Sequence, residues 1–367
     1  MDDRLDQPIL PFRMYDQFNW YKFLDGKNIH KRNSLEVKGV AILLMLAFHL
    51  FGFPERIPVI SIEWIGSPVI KAFQICVPLF LFLGGYGLEC VAVKKSIDKK
   101  MLCDRIRKLY TDFWWICIPT IVIGMLIDYY PMDIFKMFME IFGITSDYNG
   151  EWWFFSNYLE LFLLFIVFQH LLNSNKYTLS KAIITLVILL IFSRLIGGYV
   201  NWREYGILGR HIQMILVNVT IFLLGSVFAR YSLFEVVRRD FGHWLDLPGI
   251  SIFLVITPIL VRGYLPLIGI TELVVVPMFC LGVVNGMARV GGGKILMFFG
   301  QHSMNMWLTH TLFIYYYMKK ITFITENSIV MYLTVIGCSL TVSILVGKIK
   351  KHTGVLNKRI DTYLSFK

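Results

Sequence analysis

The chain has 367 residues, of which 56% are hydrophobic and 17% charged, and its mean hydropathy is +0.61. A soluble domain carries about 25% charged residues, and a single hydrophobic core stops growing beyond roughly 250–300 residues, so a soluble single-domain protein is excluded. The formal net charge of +11 favours basic loops that fix membrane orientation over binding to nucleic acid. The composition therefore predicts an all-α polytopic membrane protein.

Ten segments are long and apolar enough to span a bilayer, which requires about 20 residues in a helix. They are 35–53, 68–92, 109–130, 152–172, 180–200, 211–230, 248–265, 267–287, 295–318 and 328–347. Residues 132–142 are short and amphipathic, which predicts a helix lying at the membrane interface. These segments divide the chain into an N-terminal segment 1–33, a transmembrane bundle 34–350 and a C-terminal tail 351–367.

Lysine and arginine are concentrated in alternate loops, a pattern that predicts which loops face the cytosol. The basic residues that share one side of a ten-helix bundle include Lys31, Arg32, Lys94, Lys99, Arg105, Lys108, Arg230, Arg239, Arg289, Lys294, Lys348 and Lys350. Loops on the opposite side are acidic or aromatic, as at Asp147 and Glu151. We therefore expect both termini to be cytosolic. None of the six cysteines lies in a predicted external segment, so we expect free thiols.

Two histidines within the spans are candidate catalytic residues, because an ionisable group inside a membrane is costly. His49 lies about 16 Å along the first span from Lys38, and His310 lies about 24 Å along the ninth span from Lys294. Both then lie in the outer half of the membrane and can face one cavity, since unpaired polar groups avoid lipid. A neutral imidazole can act as a base near pH 7. The alternative is a structural histidine that hydrogen-bonds a neighbouring helix.

Further polar and aromatic side chains lie in the outer half of the predicted bundle. Glu160 and Arg194 are candidates for substrate binding, although an intramembrane Glu–Arg pair is equally consistent with packing between helices. Trp152 and Trp153 are typical of an aromatic belt at the membrane boundary, with stacking on a sugar ring as the alternative.

A basic cluster opens the third span on the cytosolic side. Arg105 and Lys108 are three residues apart and therefore share a helix face, whereas Arg107 points elsewhere. Membrane orientation alone explains these charges. The alternative is a site for a phosphate-bearing ligand that arrives from the cytosol.

Five short motifs resemble those of the integral-membrane acyltransferase-3 family, and they occur in the family's order. Lys38 and His49 are separated by ten residues, where the family has Arg and His at this spacing. The stretch VPLFLFLGGYGLE is similar to a family stretch that ends in Ser-Gly-Tyr, with Gly84 in place of the serine. The sequence Arg105-Ile-Arg107-Lys108 is similar to the family's Arg-x-x-Arg.

The last two motifs are GEWWFF, which resembles a Trp-Phe pair before the fourth span, and FGQHSMNMWLTHTLF, which resembles the closing stretch with Gly300, Ser303 and His310. Two residues depart from the pattern, because Lys38 and Lys108 stand where arginines are usual. Lysine carries the same charge but lacks the bidentate geometry of arginine.

The resemblance implies transfer of an acyl group from cytosolic acyl-CoA, with acetyl-CoA as the usual co-substrate, to a hydroxyl of a cell-surface carbohydrate or glycolipid. It implies His49 as general base, with His310 orienting the acceptor or stabilising the thioester oxyanion. Binding of CoA is then assigned to Lys38, Arg105 and Lys108, and binding of the acceptor to Glu160, Trp152 and Arg194.

We expect a bacterial cytoplasmic membrane as the location, no metal, no nucleic acid, and the lipid bilayer as the surroundings. Some relatives carry a fused extracytoplasmic esterase-like domain, so a separate envelope protein is a further expected partner. Two other classes of function stay open from the sequence. One is a transporter or flippase for a lipid-linked or polymeric sugar, with the histidines as proton-relay or substrate sites. The other is a structural subunit of an envelope synthesis complex.

Overall fold

A computed structural model describes residues 31–57, 67–94, 99–172, 178–265, 270–290 and 293–365. Within these ranges the regular structure is helical and contains no strand. The main helices are α1 Lys31–Phe51, α2 Pro68–Ala92, α3 Lys99–Leu126, α4 Ile134–Ile141, α5 Trp153–Leu172, α6 Leu179–Tyr199, α7 Gly206–Arg230, α8 Leu233–Leu245, α9 Ile250–Tyr264, α10 Glu272–Val290, α11 Gly293–Ile314 and α12 Ser328–Ser365. The predicted all-α polytopic architecture is confirmed.

Eight of the described helices are long and apolar enough to cross a membrane. The other two predicted spans correspond to α9, which has 15 residues and is bent by 113° from α8, and to α11, which has 22 residues. Polar side chains such as Gln301, His302 and Asn305 make α11 the least apolar of the predicted spans. The predicted interfacial helix is α4, whose Ile134 and Phe135 are largely exposed.

The helices differ from the predicted spans mainly at the basic end of the bundle, defined as the end that carries Lys31, Lys99 and Arg230. Helix α3 starts ten residues before the predicted span, and α12 continues through the predicted tail to Ser365. Hydropathy marks only the part of a helix inside the membrane, so a polar extension beyond it is not detected. Helix α8 is amphipathic and lacks a long apolar run, so hydropathy does not detect it either.

The predicted segment 1–33 lies outside the described residues except for its last three. All six cysteines are free thiols, as predicted.

Helices α1 and α11 are in close backbone contact at two glycines. A Cβ atom on Gly39 would lie 2.0 Å from the carbonyl oxygen of Leu296, and one on Gly300 would lie 2.0 Å from that of Leu35. Small residues permit such close approach between helices in a membrane. Each histidine follows its glycine by ten residues, or about 15 Å along parallel helices, so the contact brings His49 and His310 to the same level.

Helices α2 and α7 form a second close pair of the same kind. A Cβ on Gly85 would lie 1.9 Å from the carbonyl oxygen of Phe222, and one on Gly225 would lie 2.0 Å from that of Phe82. At the basic end a buried ion pair joins the same two helices, with Arg230 Nε 2.6 Å from Glu89 Oε1. Since α2 also packs against α1, the two glycine-mediated pairs form one continuous core.

We predict that Gly39→Ala lowers the free energy of unfolding by about 1–3 kcal/mol, the usual cost of overpacking, because the added methyl group meets backbone atoms that cannot rotate away. The measurement is the thermal midpoint of the purified protein in detergent. Gly87→Ala is the matched control, since a Cβ on Gly87 has no heavy atom within 4 Å. Equal midpoints for Gly39→Ala and the control would contradict the prediction.

Candidate active site

His49 and His310 are in direct contact near the end of the bundle opposite the basic end, which we call the histidine end. Their ring centroids are 4.9 Å apart and the rings meet at 61°. The exposed fraction is 8% for His49 and 0% for His310, so neither imidazole faces lipid. The structure therefore brings together the two histidines that the sequence places at similar depth.

Each imidazole has one buried nitrogen without a hydrogen-bond partner in the described part of the chain: Nδ1 of His49 and Nε2 of His310. Nδ1 of His310 lies 2.6 Å from the carbonyl oxygen of Trp307. A carbonyl only accepts, so Nδ1 of His310 carries the hydrogen and donates it. In the neutral ring, Nε2 of His310 then holds a lone pair that is free to accept a proton or a hydrogen bond.

A carboxylate and a guanidinium group continue the site from His49 towards the surface. Glu151 Oε2 lies 3.8 Å from His49 Nε2, and Glu151 Oε1 accepts a hydrogen bond from Arg56 at 3.1 Å. The Arg56 guanidinium lies 3.9 Å from the centre of the Tyr315 ring, and the Tyr315 hydroxyl donates to the carbonyl oxygen of His49. The Glu151 carboxylate beside His49 favours the imidazolium that forms when this ring takes a proton, whereas the Arg56 guanidinium disfavours it.

The loop that carries Glu151 is fixed to the residues at the end of α11. Asn149 Nδ2 donates to the Thr311 hydroxyl at 2.8 Å, and the Trp152 indole N–H donates to the carbonyl oxygen of Leu308 at 2.9 Å. Trp152 is 2% exposed and packs edge-on against Phe113. The Trp152 ring is therefore packed in the core rather than presented at the surface, and its role in binding the acceptor stays a prediction.

Glu140, at the end of α4, organises the first half of the same loop. Its Oε2 accepts hydrogen bonds from the backbone N–H groups of Asp147 at 2.6 Å and Tyr148 at 3.4 Å, and from the Thr145 hydroxyl. Its Oε1 is buried and has no partner in the described residues. Burial raises the pKa of Glu140 from 4.5 to about 7, so Oε1 can carry a proton near neutral pH.

The predicted CoA-binding residues lie towards the basic end and no hydrogen bond or ion pair links them in the described chain. Lys38 is half-buried on α1. Arg105 is half-buried and close enough to interact electrostatically with the Tyr158 hydroxyl. The Lys108 side chain is 76% exposed and pairs with Asp112 at 3.0 Å. Arg105 therefore points into the bundle, whereas Lys108 points out of it.

The two remaining candidate residues lie away from the histidine contact. Glu160 pairs with His211 in a separate cleft between α5 and α7. Arg194 lies exposed on α6. Among the residues that the structure describes, no three His, Cys, Asp or Glu side chains are grouped as a metal site requires.

Sequence reasoning did not single out Arg56, Asn149, Glu151 and Tyr315 as site residues. Glu151 carried a usable signal, because it directly precedes the tryptophan pair of GEWWFF at the membrane boundary. Arg56 and Tyr315 lie just beyond the ends of α1 and α11. A contact between two such loop ends depends on how the helices pack, and no spacing in the sequence records it.

A family model described as an acyltransferase domain, that of the acyltransferase-3 family, matches residues 33–348 of the chain. The matched range contains both histidines, Glu151 and Arg105. Comparison with curated proteins and with solved structures gives no significant match.

We predict that Glu140→Gln reduces the dependence of thermal stability on pH between pH 6 and pH 8. A carboxyl group whose pKa is raised on folding contributes stability that is fully present below about 4.5 and is lost as the pH rises through about 7. The thermal midpoint of the wild-type protein should therefore fall between pH 6 and pH 8, because the buried Glu140 carboxyl must become charged. The amide of Glu140→Gln stays neutral, so this contribution to the fall should be absent.

The matched control is Glu326→Gln, which changes an exposed carboxylate and should keep the wild-type pH profile. If Glu140→Gln and wild type lose the same number of degrees between pH 6 and pH 8, the assignment of Glu140 is wrong.

Proposed function

The chain belongs to the acyltransferase-3 family and is a membrane acyltransferase, and on this premise we propose that it moves an acyl group from cytosolic acyl-CoA to a carbohydrate hydroxyl at the outer face. The donor in this proposal is acetyl-CoA. The observation that carries the proposal is the buried contact between His49 and His310, each with one nitrogen free to accept a proton. Family membership favours acyl transfer over the transporter, flippase and structural-subunit alternatives.

His49 acts as the general base in this mechanism. A sugar hydroxyl has a pKa far above 7 and is a poor nucleophile until a base takes its proton. His49 Nδ1 takes the proton, and Glu151, 3.8 Å from Nε2 of the same ring, stabilises the imidazolium. The hydroxyl oxygen forms a bond to the thioester carbonyl carbon, the C–S bond breaks, and the proton passes from His49 to the departing CoA thiolate. The products are an acyl ester of the carbohydrate and free CoA.

His310 orients the acceptor in this mechanism. Its Nδ1–H is committed to the carbonyl oxygen of Trp307, so the neutral ring has no second N–H to offer an oxyanion. Its Nε2 can accept a hydrogen bond from the acceptor hydroxyl and hold that group beside His49. Of the two roles that the resemblance implies for His310, this geometry supports orientation of the acceptor.

The donor enters from the basic end, which we take to be the cytosolic side of a bacterial cytoplasmic membrane. Lys38 and His49 are about 16 Å apart along α1, a distance that the long and mostly uncharged pantetheine arm of CoA must span. Arg105 supports this route because it points into the bundle, towards Tyr158. Lys108 would have to leave Asp112 to contact a phosphate. A separate envelope protein that receives or presents the carbohydrate is compatible with this arrangement.

We predict that His49→Ala lowers kcat for acetyl transfer by about 10²–10⁴-fold, the usual contribution of general acid–base catalysis, and leaves binding of acetyl-CoA unchanged. The measurement uses radiolabelled acetyl-CoA, the purified protein and a carbohydrate extract of the cell envelope. His170→Ala is the matched control, since His170 is exposed near the far end of α5. A folded His49→Ala protein that transfers at the wild-type rate would refute the mechanism.

We also predict that Arg105→Glu raises the KM for acetyl-CoA at least tenfold while kcat changes less, because attraction to a CoA phosphate becomes repulsion. Arg107→Glu makes the same charge change on an exposed side chain two residues away and should leave KM near the wild-type value. Equal KM values for the two variants would remove Arg105 from the donor site.

A further inference from the structure

A second polar cleft lies between α5, α7 and the loop that follows α4. It is lined by Ser146, Trp153, Asn157, Glu160, Arg210 and His211, among others. In the proposed orientation these residues lie near the outer ends of α5 and α7. The mechanism described above does not use this cleft.

An ion pair fixes one wall of the cleft. His211 Nδ1 contacts Glu160 Oε1, and His211 Nε2 lies 2.9 Å from the carbonyl oxygen of Ile144. Both ring nitrogens face acceptors, an arrangement in which the imidazolium form donates two hydrogen bonds. Arg210 reaches the Ser146 hydroxyl at 3.5 Å. The loop and α7 are thereby joined, and Glu160 is held in one orientation.

Two buried polar atoms of the cleft residues lack a partner in the described part of the chain. Glu160 Oε2 is an acceptor and Asn157 Nδ2 is a donor. The other end of the Asn157 amide is occupied, because Oδ1 accepts a hydrogen bond from Asn218 at 2.8 Å. Asn157 is 1% exposed, and leaving such a donor unpaired costs about 1–3 kcal/mol. A ligand that supplies both an acceptor and a donor would satisfy the two atoms together.

The chemistry of these residues is that of a sugar site. A sugar hydroxyl donates and accepts at once, which matches Glu160 Oε2 and Asn157 Nδ2, and the half-buried Trp153 provides an indole against which the apolar face of a sugar ring can pack. The cleft as a whole has a volume of about 10 Å³, which is room for one group about the size of a water molecule. A sugar therefore enters by a hydroxyl at the edge of its ring.

We propose that this cleft binds one sugar unit of the carbohydrate acceptor, distinct from the unit that is acylated. The proposal rests on the proposed acyl transfer to carbohydrate. Helix α5 links the cleft to the reaction site, because Phe154 of this helix packs against the Trp307 ring at 5.4 Å and the Trp307 carbonyl holds His310. An acceptor that occupies both places has more than one sugar unit, so the substrate class is an oligosaccharide or polysaccharide.

The test is direct binding of carbohydrate by the full-length His49→Ala protein in nanodiscs. Acyl transfer is slowed in this variant, so the bound carbohydrate stays unmodified during the measurement. The probes are defined, unacylated bacterial oligosaccharides of one to six sugar units, immobilised as an array. The parent protein should bind at least one oligosaccharide and should bind the corresponding monosaccharide at least tenfold more weakly. Trp153→Ala and the isosteric Asn157→Asp, which removes the unpaired donor, should each weaken binding at least tenfold.

Trp244→Ala is the control, since Trp244 is an exposed tryptophan on α8, and it should bind as the parent does. Asn157→Asp preserves the side-chain volume and the oxygen that accepts the hydrogen bond from Asn218. This variant therefore still tests the proposal if Trp153→Ala fails to fold. Unchanged binding by Asn157→Asp, or no binding of any oligosaccharide by the parent, would overturn the proposal.

The failure of this proposal and of the proposed function can be told apart. Wild-type protein that transfers labelled acetyl groups while the cleft variants bind normally contradicts the cleft alone. Wild-type protein that binds oligosaccharide through the cleft but never transfers acetyl from acetyl-CoA contradicts the proposed reaction while it supports the cleft.

Discussion

The arrangement of the molecule depends on the close contact between α1 and α11. Helix α11 carries histidine, asparagine and glutamine side chains that would be costly in hydrocarbon, and it avoids lipid by packing against α1, α3 and α12. Gly39 and Gly300 make this packing close, because no side chain fits between either residue and the opposing backbone. Burial of α11 and the contact between the two histidines are therefore consequences of one helix crossing.

Charged residues are arranged differently at the two ends of the bundle. At the histidine end, Glu151 lies between His49 and Arg56, and its loop is tied to both α4 and α11. Glu140 is buried beneath the loop and accepts hydrogen bonds from backbone N–H groups. These bonds help to position Glu151, although Glu140 itself does not contact His49. At the basic end, Arg105 points inward among half-buried side chains. In the proposed mechanism, the CoA donor bridges these ends and needs charge recognition only at its nucleotide.

Much of the fold could be predicted from the sequence, because runs of apolar residues mark membrane spans directly. Each of the ten predicted spans overlaps one of the described helices. The contact between the two histidines follows from their equal depth along α1 and α11. The polar extensions of α3 and α12 were missed, since hydropathy stops at the membrane boundary. The pairing of Lys108 with Asp112 does have a signal in the sequence, because residues four positions apart share a helix face.

Other features could not be read from residue order. Trp152 and Trp153 are consecutive, yet one is buried against Phe113 and the other lines the cleft beside Asn157, because neighbouring side chains of a helical turn point about 100° apart. The position of Glu151 depends on hydrogen bonds from Asn149 and Trp152 to α11, which form only after the helices pack. Contacts of this kind join residues more than a hundred positions apart and leave no periodic signal.

The most direct test of the account is a double-mutant cycle between His49 and His310, read as the rate of label transfer from acetyl-CoA. If the two imidazoles act as one site, the double alanine variant will be no slower than His49→Ala alone, because residues in one interacting unit are strongly non-additive. Independent losses that multiply, with the double variant slower than wild type by the product of the two single-variant effects, would contradict a shared site.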